Sequence, residues 1–183
     1  MGKRIAYKGF QPGLVCRGYQ FQMGLNVTDR ANCGENGFHC AEDPMDCLTY
    51  YSCMERSEYY VVQPGGDVDE DQRDSKISCT ELTILKKLEP MDFFLHALAY
   101  MVDHPLRTWG VHVTKDRGTA CNGFTVVRGV DPVASGKKGD ILALAKESAD
   151  HTRVIQVAVA RVDGKKVRAS VWYDIDLKEK KVV

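Results

Sequence analysis

The residues with the most chemical potential stand close together: Cys33, His39, Cys40, Cys47 and Cys53 bring four thiols and an imidazole into one short stretch. Thiolate and neutral imidazole are zinc ligands, so a structural metal site is the first chemistry to weigh. Zinc sites usually present ligand pairs separated by two to four residues, whereas the gaps between these cysteines are six, six and five. Cys47 and Cys53 would stand about 600° apart around a helix and leave it on different faces. No metal or other cofactor is therefore expected. The seven cysteines, which include Cys16, Cys79 and Cys121, are expected as free thiols packed as small apolar groups in a reducing compartment. Their odd number leaves at least one without an internal partner.

A second cluster is acidic. Gly65-Gly66-Asp67-Val68-Asp69-Glu70-Asp71-Gln72-Arg73-Asp74 carries five carboxylates against one arginine and is expected as an exposed loop between strands. Asp67, Asp69, Glu70, Asp71 and Asp74 are the expected partner-binding residues, because clustered carboxylates can occupy a positively charged groove. Tyr19, Tyr50 and Tyr59 form a possible aromatic contact set. Lys165, Lys166, Arg168, Lys178, Lys180 and Lys181 form a basic C-terminal patch, expected mainly to aid solubility. Lys plus Arg equals Asp plus Glu at 25 each, so the chain has no overall field drawing it to nucleic acid or anionic lipid. Gly34, Gly37 and Gly123 make no phosphate-cradling run, and no Cys/His pair carries a local catalytic signature. No catalytic residue is assigned.

The elements that must position these groups are read from periodicity. Strands are expected near Ile5 to Gly9, Arg17 to Gln22, Tyr59 to Gln63 and Lys76 to Leu85. Asp43 as N-cap and Pro44 at the first helical position predict a helix to Cys53. Pro90 to Val102 predicts another, with Met91, Phe94, Leu95, Leu98 and Met101 or Val102 as its buried stripe. Asp140 to Ala145, Arg153 to Arg161 and Lys166 to Asp174 read as strands, the last two joined by a tight hairpin at Asp163-Gly164. Along Arg153 to Arg161 the more apolar face carries Ile155, Val157 and Val159. The fold class is α+β, strand-dominated, with mixed antiparallel sheets, two short helices and a C-terminal β-hairpin. At 183 residues the chain can bury roughly two thirds of its unfolded surface without staples.

Tyr7-Lys8-Gly9-Phe10, Cys16-Arg17-Gly18-Tyr19-Gln20-Phe21 and Gly37-Phe38-His39-Cys40-Ala41-Glu42-Asp43-Pro44, followed by Tyr50-Tyr51 and Asp74-Ser75-Lys76-Ile77, resemble a phage and prophage domain of unknown biochemical activity. Gly139-Asp140-Ile141-Leu142, Val162 to Val167 and Trp172-Tyr173 are similar to the small β-rich tail of the same phage proteins. The resemblance implies an N-terminal domain over 1–104, a solenoid-like stub or linker over 105–139, and a C-terminal β-meander over 140–183. Some relatives are anti-CRISPR inhibitors of type II CRISPR nucleases. It therefore implies a protein that binds a guide-loaded effector nuclease without turnover, its carboxylates placed where the enzyme holds nucleic acid.

Gly37 to Pro44 with Tyr50-Tyr51 also looks like part of an ADP-ribosyltransferase. In that reading Tyr50 or Tyr51 stacks on nicotinamide, His39 holds a ribose hydroxyl, and Glu58 or Glu81 stabilises the oxocarbenium ion. A phage structural or host-interaction accessory protein is the third expectation, and self-association a further one. No apolar run approaches the length of a membrane span, and Met1-Gly2-Lys3-Arg4 leads into a strand, so the bacterial host cytoplasm is the expected location.

Overall fold

The computed structural model describes residues 4–70 and 74–182. It divides into two compact units between Glu89 and Pro90. The division thus falls before the second helix, where the sequence reading set it at residue 104.

The first unit is built on strands β1 (Ala6–Phe10), β2 (Val15–Cys16), β3 (Tyr19–Gln20), β4 (Gly24–Val27), β5 (Phe38–Ala41), β6 (Glu58–Glu70) and β7 (Lys76–Leu88), with a single helical turn α1 (Pro44–Cys47). β6 and β7 form a long antiparallel hairpin, β1 pairs with β6 and β5, and β5 pairs back onto β7. These pairings close a ring of four strands, and β4 adds to the free flank of β7 beyond β5. Closure removes sheet edges and gathers Phe10, Phe21, Phe38, Tyr60, Val62 and Ile84 into one core.

Three local expectations change here. The strand expected over Arg17 to Gln22 is instead a small β2–β3 hairpin, with Arg17 at φ 50° and Gly18 at φ 79° as its two loop residues. Two positive φ values suit a two-residue loop whose twist matches its strands. The helix expected to run from Pro44 to Cys53 stops after Cys47. Asp43 Oδ1 does accept from Met45 N at 2.9 Å, and Pro44 opens the turn. Thr49, Tyr50 and Tyr51 are weak helix formers, and the Tyr51 ring lies against the backbone of Gly9. Finally, the acidic segment is not a free loop. Gly66, at φ 65°, forms a bulge, after which pairing resumes at Val68 opposite Cys79 and continues to Glu70 opposite Ile77.

The second unit opens with α2 (Pro90–Asp103) and continues through β8 (Val113–Thr119), β9 (Phe124–Ser135), β10 (Ile141–Glu147) and β11 (Val154–Arg161). α2 packs on β10 and β11 through Phe93, Phe94, Ala97, Leu98 and Met101. The stripe is rotated slightly from its expected place, leaving Leu95 and Val102 exposed. β8, β9 and β10 run parallel, with Val113 opposite Val126 and Val126 opposite Ala143. The connections are too short for helical crossovers; the chain coils, with Asp116 at φ 60° turning one corner. Residues 105–139 therefore contribute β8 and β9 to the main sheet of this unit, with a solenoid-like coil in place of a linker.

The antiparallel hairpin of the second unit is β10–β11. Asp163 and Gly164 do turn the chain, and Asp163 Oδ1 accepts from Lys165 N and Val167 N. Residues 166–174 then leave the sheet, because Tyr173 is drawn into the core and bridges only to Ala134 and Glu179. On β11 the faces are reversed from expectation: Ile155 and Val157 are exposed, while Val154 and Ala160 are buried. No helix among the described residues is long and apolar enough to cross a membrane.

Candidate functional site

A cleft of about 620 Å³ opens on the first unit. Its walls come from β1, the β2–β3 hairpin, the segment from Gly34 through β5, α1 with the chain following it, and the start of β7. Ring faces of Tyr19, Phe21, Phe38, Tyr50 and Tyr51 share it with Lys8, Arg17 and Lys76.

Each cation is held differently. Lys8 alternates inward on β1 and is buried, with Nζ donating to the His39 carbonyl at 2.6 Å and lying 5.3 Å from the Phe10 and Phe21 rings. Lys76 sits 5.3 Å over the Tyr50 ring and 3.5 Å from Asp74 Oδ2. Arg17 stands exposed at the hairpin tip in a left-handed conformation, which a non-glycine residue holds only at a cost. All three lower the proton affinity of His39 from its ordinary 6.5, after the larger effect of burial. The three cations thus stand around His39, and Glu35, Asp46 and Asp74 line the same cleft. Of the carboxylates in the wall, Asp46 is engaged by Ser75, whose N and Oγ donate to it at 3.0 and 2.6 Å.

His39 serves the architecture. Its Nε2 accepts from Gly34 N at 3.0 Å, and a backbone bond to Gly37 engages it further, so the imidazole staples the 34–37 turn. Tyr51 Oη donates to Cys16 Sγ at 3.1 Å, and burial pushes its phenol well above the ordinary range. Burial likewise pushes the Cys47 thiol up to about 12. A thiol so placed is an inert packing group. Among the described residues no disulfide is formed, and no cluster of three His, Cys, Asp or Glu side chains could hold a metal ion.

The expected contact residues are divided by the fold. Tyr19 and Tyr50 lie at the cleft, 46% and 57% exposed, whereas Tyr59 is 2% exposed and donates through Oη to the Tyr51 carbonyl. Tyr59 is a core residue and drops out of the contact set. Asp67, Asp69 and Glu70 lie on the exposed end of β6, but two have internal partners: Asp69 Oδ2 accepts from Cys33 N at 2.7 Å, and Glu70 pairs with Arg4. Asp74 accepts from Lys76 N at 2.8 Å, and Asp71 lies outside the described residues. The basic C-terminal patch is partly neutralised internally by the Arg168–Glu179 and Lys180–Asp131 pairs.

For the transferase-like set, His39, Tyr50 and Tyr51 do meet at one cleft. The glutamates do not join them. Glu58 Oε1 is held by Lys87 Nζ at 2.6 Å and its Oε2 by Gly13 N at 3.1 Å, and Glu81 stands on β7 opposite Val27 and Gly65. Sequence reasoning missed Lys8, Arg17 and Lys76. The detectable signal was Arg17-Gly18 between the short pairs Val15-Cys16 and Tyr19-Gln20, a two-residue hairpin pattern that presents its first residue outward.

Fold and site together define a class: a strand-built domain closed on itself, with a cation-and-ring cleft on its surface. The chain belongs to the family described as Domain of unknown function (DUF7666), whose model matches residues 4–96. No curated protein and no solved structure matches it.

Proposed function

We propose that the protein acts by binding, without turnover, and that the first unit's cleft takes a ligand that joins a flat ring to an anionic group, the chemistry of a nucleotide. The observation that carries this reading is the convergence of Lys8, Arg17 and Lys76 on the surroundings of His39, within a wall of Tyr19, Tyr50 and Tyr51 rings. Cations take a phosphate and rings take a base. A largely apolar, ring-lined cleft of this size with a few charged groups is the ordinary form of a small-ligand site. Cleavage of the ligand is not part of the proposal, since His39 is engaged by its own loop and Glu58 and Glu81 lie elsewhere.

Thermal shift with AMP, ADP-ribose and NAD tests the reading. Ligand should raise Tm in the wild type and much less in Arg17→Glu or Tyr50→Ala, because only ligand bound to the native state stabilises it. Unchanged Tm with all three nucleotides overturns it.

A second reading rests on the exposed carboxylates of β6. Beyond the Gly66 bulge, Asp67, Asp69 and Glu70 form an exposed acidic strand end, whose charge would suit the positively charged channel of a type II CRISPR RNA-guided nuclease. Titration against guide-loaded nuclease should then give inhibition that saturates at a fixed stoichiometric ratio. Strong inhibition at a far substoichiometric dose would require an enzyme and sink this second reading.

A further inference from the structure

The second unit contains a buried arginine whose hydrogen-bonding capacity is not filled. Arg128, in the middle of β9, is 6% exposed. Its Nε is paired with Glu147, and its Nη2 donates to the Pro105 carbonyl at 2.5 Å. Its Nη1 is buried and, among the described residues, has no acceptor. The indole of Trp109 lies 5.2 Å from the guanidinium carbon, and its Nε1 is likewise buried without an acceptor. A buried donor left unmatched costs about 1–3 kcal/mol, and here two occur on stacked groups. Such pairs are what a bound acceptor explains.

Charge favours a negative acceptor. Glu147 balances Arg128 and also takes His151 Nδ1 at 2.5 Å, while Arg107 adds a further positive charge 5.9 Å from the Trp109 ring. Arg107 is itself steadied by a bond from Nη1 to Tyr100 Oη at 3.1 Å. The cover is the irregular segment after α2. It supplies both the Pro105 carbonyl and the Trp109 ring, yet its own Leu106 and Val111 are 77% and 92% exposed.

We propose that Arg128 and Trp109 bind a small oxyanion, a phosphate or a carboxylate, beneath the 105–111 segment, with Arg128 Nη1 and Trp109 Nε1 as its donors. This site is separate from the cleft of the first unit and does not depend on it.

The test uses the full chain with ¹⁵N-labelled tryptophan. The protein has two tryptophans, so the Trp109 Nε1–H resonance reads the donor directly and Trp172 serves as the internal control. Inorganic phosphate and acetate are titrated separately against chloride at matched ionic strength. A saturable shift of Trp109 alone, with either anion, supports the site and identifies which oxyanion it prefers. It should persist in Arg17→Glu, which alters only the cleft, and weaken about tenfold in Arg128→Lys, which keeps the charge but loses the fork. Should Arg128→Lys fail to fold, Trp109→Phe keeps a ring over the guanidinium, and its gain in Tm from the anion should fall. The proposal is overturned if Trp109 responds to neither anion beyond chloride, or if Trp172 moves equally.

Discussion

The Tyr51 ring lies directly on Gly9: a Cβ at position 9 would stand 2.6 Å from its Cδ2 and 2.8 Å from its Cγ. This contact joins the Tyr7-Lys8-Gly9-Phe10 strand to the chain leaving α1 and sets one wall of the cleft. Glycine is needed here for close approach, since the residue is not in the left-handed region. Gly9→Ala should destabilise the protein by about 1–3 kcal/mol, the usual effect of overpacking. Urea unfolding checks this, and an unchanged midpoint would show that Tyr51 can move aside freely.

Tyr51→Phe keeps the ring on Gly9 and removes the hydroxyl that donates to Cys16. Stability should fall by about 0.5–1.5 kcal/mol, the net contribution of one hydrogen bond. Cys16→Ser, which retains an acceptor, should fall by less, so chemical denaturation of the two variants separates hydrogen bonding from packing.

Stability should decline in acid through His39. Burial, then Lys8, Lys76 and Arg17, hold its pKa below the ordinary 6.5. Between that lowered value and about 6.5 the unfolded chain binds more protons than the folded one. The His39 contribution is therefore complete above about pH 6.5 and is lost as pH falls through the window. Tm of His39→Gln, compared with wild type at pH 7.5 and 5.5, should show a smaller acid-induced drop; equal drops would exclude His39 as the source.

The β6 carboxylates should separate in their effect on folding. Asp67→Asn should leave stability within about 0.5 kcal/mol, as for most exposed substitutions. Asp69→Ala should cost about 1 kcal/mol, because it strips the acceptor from Cys33 N. Equal effects in guanidinium melts would mean the Cys33 bond contributes nothing in solution.

Gly66→Ala should be costlier than either. Its φ of 65° is unfavourable for alanine, and a Cβ would meet Thr80 Oγ1 at 2.2 Å. A loss of about 1–3 kcal/mol is expected in the same melts. A metal chelator should leave Tm unchanged, and a large drop would reinstate a metal site among the cysteines.

Local chemistry was legible in the sequence. Asp43-Pro44 announced a helix start, Pro90 opened α2 where its apolar spacing required, and the segments that become β1, β7 and β10 read as strands, because capping, proline geometry and local residue preference act over a few residues. The family-like run from Tyr7 to Tyr51 likewise marked the stretch that builds the cleft. What the sequence could not display was the outcome of competition between distant segments. The α1 helix ended early because Tyr51 had a place on Gly9; residues 166–174 left the sheet because Tyr173 was taken into the core; and the acidic segment became strand because Gly66 let β6 bulge and rejoin β7.

The site followed the same division. Tyr19 and Tyr50 were recognisable as aromatic candidates from residue type alone, and Tyr59 was equally plausible until the chain around Tyr51, whose carbonyl its hydroxyl reaches, covered it. Lys8, Arg17 and Lys76 come from β1, a hairpin tip and β7, and nothing in their spacing links them. Only closure of β1, β5, β6 and β7 into a ring sets their charges around His39. Electrostatic potential depends on distances in space, and those are decided by tertiary structure.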